Sequence, residues 1–282
     1  MSLNPTILVT GAGGLFAQYF ADLMVNKSQV IMSGRRAGEI HCDLTNKSSV
    51  ESLITKSRPS IVLHAAAMTN VDQCQKNPIE ADRANRLATL NLVDSLPSGC
   101  KFVYLSTDQV YPNRIGLHIE GDESPINIYG QSKLNGEVEA LKYPRSLILR
   151  TNFFGPSTVS NRESLSDFII NNLNNKIPIT LFRDIKFSPL HMQTIINIMF
   201  DMLEKGVYGV YNLGCKNGMT KADFGLKIAE HLGMETNHIS IGDSEMIVGR
   251  SPRPMDLRLN ISKIENILQY SMPSLEEEIQ KL

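Results

Sequence analysis

Apolar residues recur with two alternating periods through the first half of the chain. Short β-rich runs fall at Ile7–Thr10, Gln29–Met32, Ile61–His64, Phe102–Ser106 and Leu147–Arg150. Between them, apolar positions spaced three and four apart predict helices over Leu15–Met24, Ser48–Lys56, Ile79–Leu96 and Tyr129–Leu141. Strands alternating with helices predict an α/β fold, a doubly wound parallel sheet with helices on both faces. In such sheets ligands sit outside the carboxyl ends of the strands. The segment Gly11–Gly14, Asp43, His64-Ala65-Ala66-Ala67, Ser106-Thr107 and Arg150-Thr151-Asn152 all fall at or just past such ends.

After Asn152 the rhythm changes. Gly155-Pro156, Pro178, Pro189, Gly206 and Gly209 cut the chain into shorter elements. Leu181–Ser188 reads as a loop crossing a cleft. Thr220–Leu232 reads as a helix capped by Thr220, with Asp223 three residues on. The expected division is a first domain over residues 1–151 and a smaller one over 152–282. The helix near Gln193–Glu204 and the strand near Val210–Leu213, within about 188–213, are expected to return to the first domain.

Composition narrows the class. The chain has 282 residues, 42% hydrophobic and 20% charged, with a net charge of −1, which disfavours a nucleic-acid or anionic-membrane surface. No apolar run approaches the roughly 20 residues needed to span a bilayer. No secretory signal is visible; Met1-Ser2-Leu3 is short and reads as partly a cloning remnant. The four cysteines, Cys42, Cys74, Cys100 and Cys215, are scattered without a CxxC and read as reduced, mostly buried thiols of a cytoplasmic protein. The six histidines lack metal-ligand spacing, so no metal is expected.

Candidate chemistry begins with Thr6-Ile7-Leu8-Val9-Thr10-Gly11-Ala12-Gly13-Gly14-Leu15-Phe16-Ala17. A β-rich run ends in a glycine cluster and turns helical. Gly11 would give the tight turn, Gly14 would let backbone approach a pyrophosphate, and Ala17 would pack the new helix on the sheet. The spacing is GxxGxxA, which also suits an ordinary strand–loop–helix turn. Tyr129 and Lys133 lie one helical turn apart, downstream of Ser106-Thr107-Asp108. A phenol is a poor proton carrier at neutral pH, and a nearby cation would lower its pKa toward the working range. The pair reads as a tuned acid/base with Thr107 orienting the same reacting oxygen. By itself the spacing also suits a solvated helix face. Strand two ends in Met32-Ser33-Gly34-Arg35-Arg36, with no carboxylate to hold a ribose 2′-hydroxyl and two arginines able to fork a 2′-phosphate. This favours NADPH, with NADH retained as the alternative; a solvated basic loop is the bland reading.

With these residues assembled, the chain resembles the extended short-chain dehydrogenase/reductase superfamily, and within it the dTDP-4-dehydrorhamnose reductase family. The likeness runs nearly end to end, through Cys42-Asp43-Leu44-Thr45, His64-Ala65-Ala66-Ala67-Met68-Thr69-Asn70-Val71-Asp72, Ser106-Thr107-Asp108-Gln109-Val110-Tyr111, Tyr129-Gly130-Gln131-Ser132-Lys133 and Arg253-Pro254-Met255-Asp256-Leu257-Arg258-Leu259. The resemblance implies a Rossmann-type fold and hydride transfer from nicotinamide C4 to a ketone carbon of a nucleotide sugar. Tyr129 would deliver the proton, Lys133 would lower the Tyr129 pKa and bond the nicotinamide ribose, and Thr107 would donate to the same oxygen. It further implies cofactor contacts from Gly11, Gly14, Leu15 and Phe16, from Arg35 and Arg36, from Asp43 and Leu44 beside the adenine, and from Ala65, Ala66 and Ala67. Asn85 would hold a relay water, or serve as a surface or capping amide. Thr69, Asn152 and Arg253 are the substrate candidates, with Arg253 on the pyrophosphate or else paired with Asp256 or Glu245. A homodimer is compatible with the resemblance.

Two departures bear on specificity. The chain has no tryptophan, so Arg150-Thr151-Asn152-Phe153-Phe154-Gly155 lacks the indole many rhamnose-forming relatives carry after that arginine. Asp108-Gln109 carries an amide where related 4,6-dehydratases place glutamate, which disfavours dehydration. A non-catalytic regulatory subunit resembling the methionine adenosyltransferase β-subunit is the second reading, carried by Met219-Thr220-Lys221 and Arg253-Pro254. A nucleotide-sugar epimerase is the third.

Overall fold

The computed structural model describes residues 5–160, 162–247 and 249–282; Met1-Ser2-Leu3 lies outside them. The first half runs β1 (Thr6–Thr10), α1 (Leu15–Met24), β2 (Gln29–Gly34), β3 (Ile40–His41), α2 (Lys47–Ser57), β4 (Ile61–His64), α3 (Val71–Lys76), α4 (Pro78–Asp82), α5 (Ala88–Ser95), β5 (Lys101–Thr107), α6 (Ile128–Ala140) and β6 (Ser146–Thr151). The second half runs β7 (Phe153–Phe154), α7 (Leu165–Asn174), β8 (Ile179–Phe182), β9 (Lys186–Phe187), β10 (Leu190–His191), α8 (Met192–Glu204), β11 (Gly209–Leu213), β12 (Met219–Thr220), α9 (Lys221–His231), β13 (Ile239–Gly242), β14 (Asp256–Leu257), α10 (Ser262–Leu268) and α11 (Leu275–Ile279).

Seven parallel strands form one sheet in the order β11-β6-β5-β4-β1-β2-β3. All four residues of β4 and all six of β6 are buried, as a parallel sheet covered on both faces requires. Strand side chains alternate between the faces. Leu8, Val62, Phe102, Tyr104 and Ile148 meet Val50 and Leu53 of α2 and Leu92 of α5. Ile7, Val9, Leu63, Val103 and Leu149 share the other core with Phe16 and Phe20 of α1 and Ile195 and Met199 of α8. The chain leaves β1 toward β2 and β3, then returns to add β4 on the other side of β1. The order therefore reverses between β1 and β4, where a crevice opens for ligand. β11 pairs with β6 from Gly209↔Leu147 to Leu213↔Thr151, so the second half contributes a strand to the sheet.

Local signals set the helix starts. Asn127 accepts from Gly130 N–H at 2.8 Å at the head of α6, and Thr220 accepts from Asp223 N–H at 3.0 Å at the head of α9. The second is the cap that the sequence predicts at Thr220. Two elements differ from the pattern. The helix expected over Ile79–Leu96 starts at Pro78 and is interrupted by a π turn at Arg83–Leu87, between α4 and α5. Leu181–Ser188 is not simply a loop: β8 pairs in parallel with β13, and β9 lies between β12 and β14. Strands of two to four residues are too short to show a period, and their partners are remote in sequence. Among the described residues, no helix is long and apolar enough to cross a membrane.

Candidate active site

The crevice begins with Gly11, whose φ is +85°. A Cβ there would lie 2.8 Å from Ala66 N and 2.9 Å from Ala66 Cα, so only glycine lets the turn after β1 touch the turn after β4. Gly11 N–H and Ala12 N–H both donate to Ser33 O, at 2.8 and 3.0 Å, tying the turn to the end of β2. Gly14 stands at the N-cap of α1 with no side-chain cap and no acidic residue in the first turn. Leu15 and Phe16 are the first two residues of that helix, so its free N–H groups and positive dipole end face the crevice uncompensated. This glycine cradle fits a dinucleotide pyrophosphate.

Around it, Ala65 and Ala67 are partly buried like Ala66. Arg35 and Arg36 are exposed just past β2, and among the described residues neither is in a salt bridge. Asp43 accepts from Thr45 N–H at 3.0 Å and Thr45 Oγ1 at 2.9 Å, which holds its carboxyl below the usual range. The Leu44 side chain packs in the core at 9% exposure, and its carbonyl accepts from Asn91.

The acid/base residues gather past β5. Thr107 ends the strand; its Oγ1 accepts from Gln109 N–H at 3.2 Å and donates to Asp108 Oδ1 at 3.2 Å. Tyr129 is the second residue of α6, and Lys133 lies one turn further on, buried. Lys133 Nζ donates to Leu105 O at 2.7 Å and sits 4.0 Å from the centre of the Tyr104 ring. Burial pulls the Lys133 pKa down to about 7, against the attraction of Glu137.

The expected tuning of Tyr129 by Lys133 is not what the free protein has. Desolvation pushes the phenol pKa well above 10; the neighbouring Thr107 hydroxyl offsets part of this, while the negative charge of Asp108 adds to it. The Lys133 ammonium is engaged by Leu105 O and the Tyr104 ring face and does not enter among the groups that shift the phenol. Tyr129 is therefore a firmly loaded proton donor, suited to protonating an alkoxide as it forms.

Asn152 Nδ2 donates to Asp108 Oδ2 at 2.8 Å, so the amide buttresses that carboxylate at the end of β6. The Asn85 amide is engaged on both sides: Oδ1 accepts from Met68 N–H at 2.8 Å, and Nδ2 donates to Met68 O at 3.1 Å and Ser132 Oγ at 2.8 Å. It is not a surface amide, since the π turn carries it into the interior at 1% exposure. Arg253 pairs with neither Asp256 nor Glu245. It forks onto Asp72 of α3, at 2.9 and 3.2 Å, and Ser251 N–H joins the same carboxylate at 2.8 Å. Thr69 is exposed in the loop just before that helix.

The sequence model of the family described as "RmlD substrate binding domain" matches residues 5–282. The chain belongs to that family. This RmlD-family chain is 28% identical to the Haloferax volcanii protein named "Probable low-salt glycan biosynthesis reductase Agl14", over 97% of this chain and 96% of the relative. It is 25% identical to methionine adenosyltransferase 2 subunit beta of Xenopus laevis, over 92% of this chain and 81% of the relative. The crystal structure of dTDP-4-dehydrorhamnose reductase from Bacillus anthracis in complex with NADP shares the fold, with a TM-score of 0.89 at 23% identity, covering 99% of this chain and 98% of that one.

The RmlD-family site contains groups that spacing did not single out. Asp108 is 1% exposed, and desolvation raises its carboxyl to about 6 despite the bonds from Asn152 and Thr107. Lys221, the first residue of α9, is lowered to about 8 by burial and by Arg250, with Asp108 pulling the other way. Lys221 thus links Asp108 to a cationic group that includes Arg250 and Arg253. Lys221 lies in the Met219-Thr220-Lys221 run that carries the regulatory-subunit resemblance and in a capped helix start, but nothing in that run marks the lysine for this site; Arg250 precedes the Pro-flanked run without a motif of its own.

Asp108 yields a pH prediction. Its folded pKa lies above the ordinary value of 3.8, so the folded state binds the proton more tightly. Its contribution to stability is fully present below 3.8 and is lost as pH rises through about 6. Asp108→Asn removes that loss. The variant is expected to be more stable than the parent near pH 7.5, by about 1–3 kcal/mol, and to show no such gain near pH 4. Urea unfolding at the two pH values checks this; an equal difference at both would show that the buried charge is not the cause.

Proposed function

We propose that the protein reduces the 4-keto group of a nucleotide sugar with NADPH, giving the corresponding deoxysugar nucleotide. It is an NAD(P)-dependent oxidoreductase of the extended short-chain dehydrogenase/reductase superfamily, acting on nucleotide sugars. The observation that carries the reading is the meeting of Thr107, Tyr129 and buried Lys133 past β5, beside the cradle formed by Gly11 and Ala66.

On this reading residues 1–151 hold the cofactor, and 152–282 supply most of the substrate side. Gly11, Gly14 and the first turn of α1 hold the pyrophosphate; Arg35 and Arg36 meet a 2′-phosphate, and β2 itself ends without the carboxylate that would hold a free 2′-hydroxyl. A bound nicotinamide dinucleotide supplies the hydride. Tyr129 protonates the developing alkoxide, and Lys133 steadies the site beneath it. The Thr107 hydroxyl orients the substrate oxygen once its proton leaves Asp108. Lys221, Arg250 and Arg253 neutralise the diphosphate, with Arg253 exchanging Asp72 for phosphate oxygens.

A second reading is a cofactor-binding regulatory subunit, favoured by the likeness to the Xenopus laevis subunit over 92% of this chain. The two are separated by incubating the purified protein with a panel of 4-keto nucleotide sugars, with NADPH and NADH in parallel. Steady oxidation of NADPH in preference to NADH is the expected result. Tight cofactor binding without turnover on any member would overturn the reductase reading.

A further inference from the structure

A buried set of charges lies directly beneath the acid/base residues. Glu137 is one helical turn beyond Lys133 on α6, with its side chain 2% exposed. Both its oxygens accept from Arg150 Nε, at 3.0 and 3.1 Å, and Oε2 also accepts from Arg150 Nη2. Ser106 Oγ donates to Glu137 Oε1, and Ser106 follows Leu105, whose carbonyl holds Lys133 Nζ. Arg150, 3% exposed on β6, gives its remaining Nη1 to the Tyr111 hydroxyl at 2.9 Å and to the Glu123 carboxylate, which is 20% exposed.

The charges can be counted. Glu123 and Glu137 contribute two negative charges, and Arg150 contributes one positive. The remaining charge is −1, and Lys133 is the cation that cancels it. The other titratable groups facing Lys133 add no charge. From β4, His64 is held neutral by burial, with Thr10 and Thr89 hydroxyls on its two nitrogens. From β5, Tyr104 donates its hydroxyl to Lys133 O, and from α6, Tyr129 stays protonated. Lys133 has no carboxylate of its own in contact; its bonds are to a carbonyl and a ring face. An ammonium buried on such partners needs a counter-charge within a few ångströms to remain charged.

We propose that Glu137 is a positioning residue that keeps Lys133 an ammonium, with Arg150 and Glu123 completing a charge-balanced buried set of four. Glu137 touches neither reacting atoms nor cofactor; it acts through Lys133. A purely structural reading, in which Glu137 and Arg150 merely staple α6 to β6, predicts that either loss weakens the fold and leaves the Lys133 titration alone or moves it the same way. The balanced set predicts opposite shifts. Removing a negative member lowers the pH at which Lys133 loses its proton; removing the positive member raises it.

The test is an NMR titration of the ligand-free protein carrying ε-¹³C lysine, with Lys133→Met identifying the resonance. Glu137→Gln is expected to lower the Lys133 midpoint by roughly one unit or more, Glu123→Gln to lower it less, and Arg150→Gln to raise it. Should Glu137→Gln or Arg150→Gln fail to fold, Glu123→Gln carries the test, because its carboxylate is partly solvated: a lowered midpoint supports the set and an unchanged one overturns it. Shifts of the same sign in the glutamate and arginine variants would also overturn it. The inference rests on the proposed function only for its effect on turnover, where the alkaline limb of the kcat profile should follow the midpoint, since activity falls as Lys133 loses its proton. Shifted midpoints in a protein that turns over no keto sugar would count against the proposed function and leave the charge set standing.

Discussion

Tyr129→Phe is expected to lower kcat by roughly 10²–10⁴-fold while leaving cofactor affinity within a few fold. The substitution removes one oxygen and keeps the ring, so the start of α6 and its Asn127 cap are undisturbed. What is lost is the proton that must reach the alkoxide. Because burial holds the phenol pKa well above 10, the parent enters each turnover with that proton in place, and no nearby group replaces it in the same position. Thr107 already spends its proton on Asp108, and Lys133 spends one on Leu105 O. Single-turnover NADPH oxidation, alongside a binding titration, checks this. Near-parental kcat would remove Tyr129 from the mechanism.

The largest stability effect is expected at Arg150. Arg150→Met should destabilise the fold by about 3–5 kcal/mol, since it strands the Glu137 carboxylate in the interior without its fork of donors. A typical domain is stable by about 5–15 kcal/mol, so the variant would lie close to unfolding. The paired change Arg150→Met with Glu137→Leu removes both charges and should recover much of the loss, because the expense lies in the unpaired ion and not in the missing bridge. Urea midpoints of the two variants decide it. A single substitution costing under about 1 kcal/mol would mean that water reaches Glu137 freely.

Much of the architecture was legible in the sequence because it is written in local patterns. The strand–helix rhythm placed β1, β2, β4, β5 and β6, and the glycine cluster marked the crevice because backbone approach demands a missing Cβ there. Tyr129 and Lys133 could be paired because helix geometry converts a spacing of four into one face. Other features depend on tertiary encounters. Nothing local shows that Lys133 Nζ will turn to Leu105 O, that Arg253 will cross to Asp72, or that Asn152 will be taken up by Asp108. The π turn at Arg83–Leu87 left no mark either, since one extra residue in a helical turn keeps the apolar spacing nearly intact. Short paired strands such as β9 and β14 exist only because a remote partner supplies their hydrogen bonds.

The pairing of β11 with β6 has a consequence for how the chain can be divided. β6 is buried along its full length, and its outer row of backbone donors and acceptors is covered by residues that follow it by some sixty positions, from Gly209↔Leu147 to Leu213↔Thr151. A fragment ending near residue 151 would contain every group assigned to the dinucleotide, yet it would leave the edge of β6, with Leu147, Ile148 and Leu149, unpaired and open to other chains. The same edge is open on the nascent chain until β11 is made, so the second half of the molecule also acts as an intramolecular guard during synthesis.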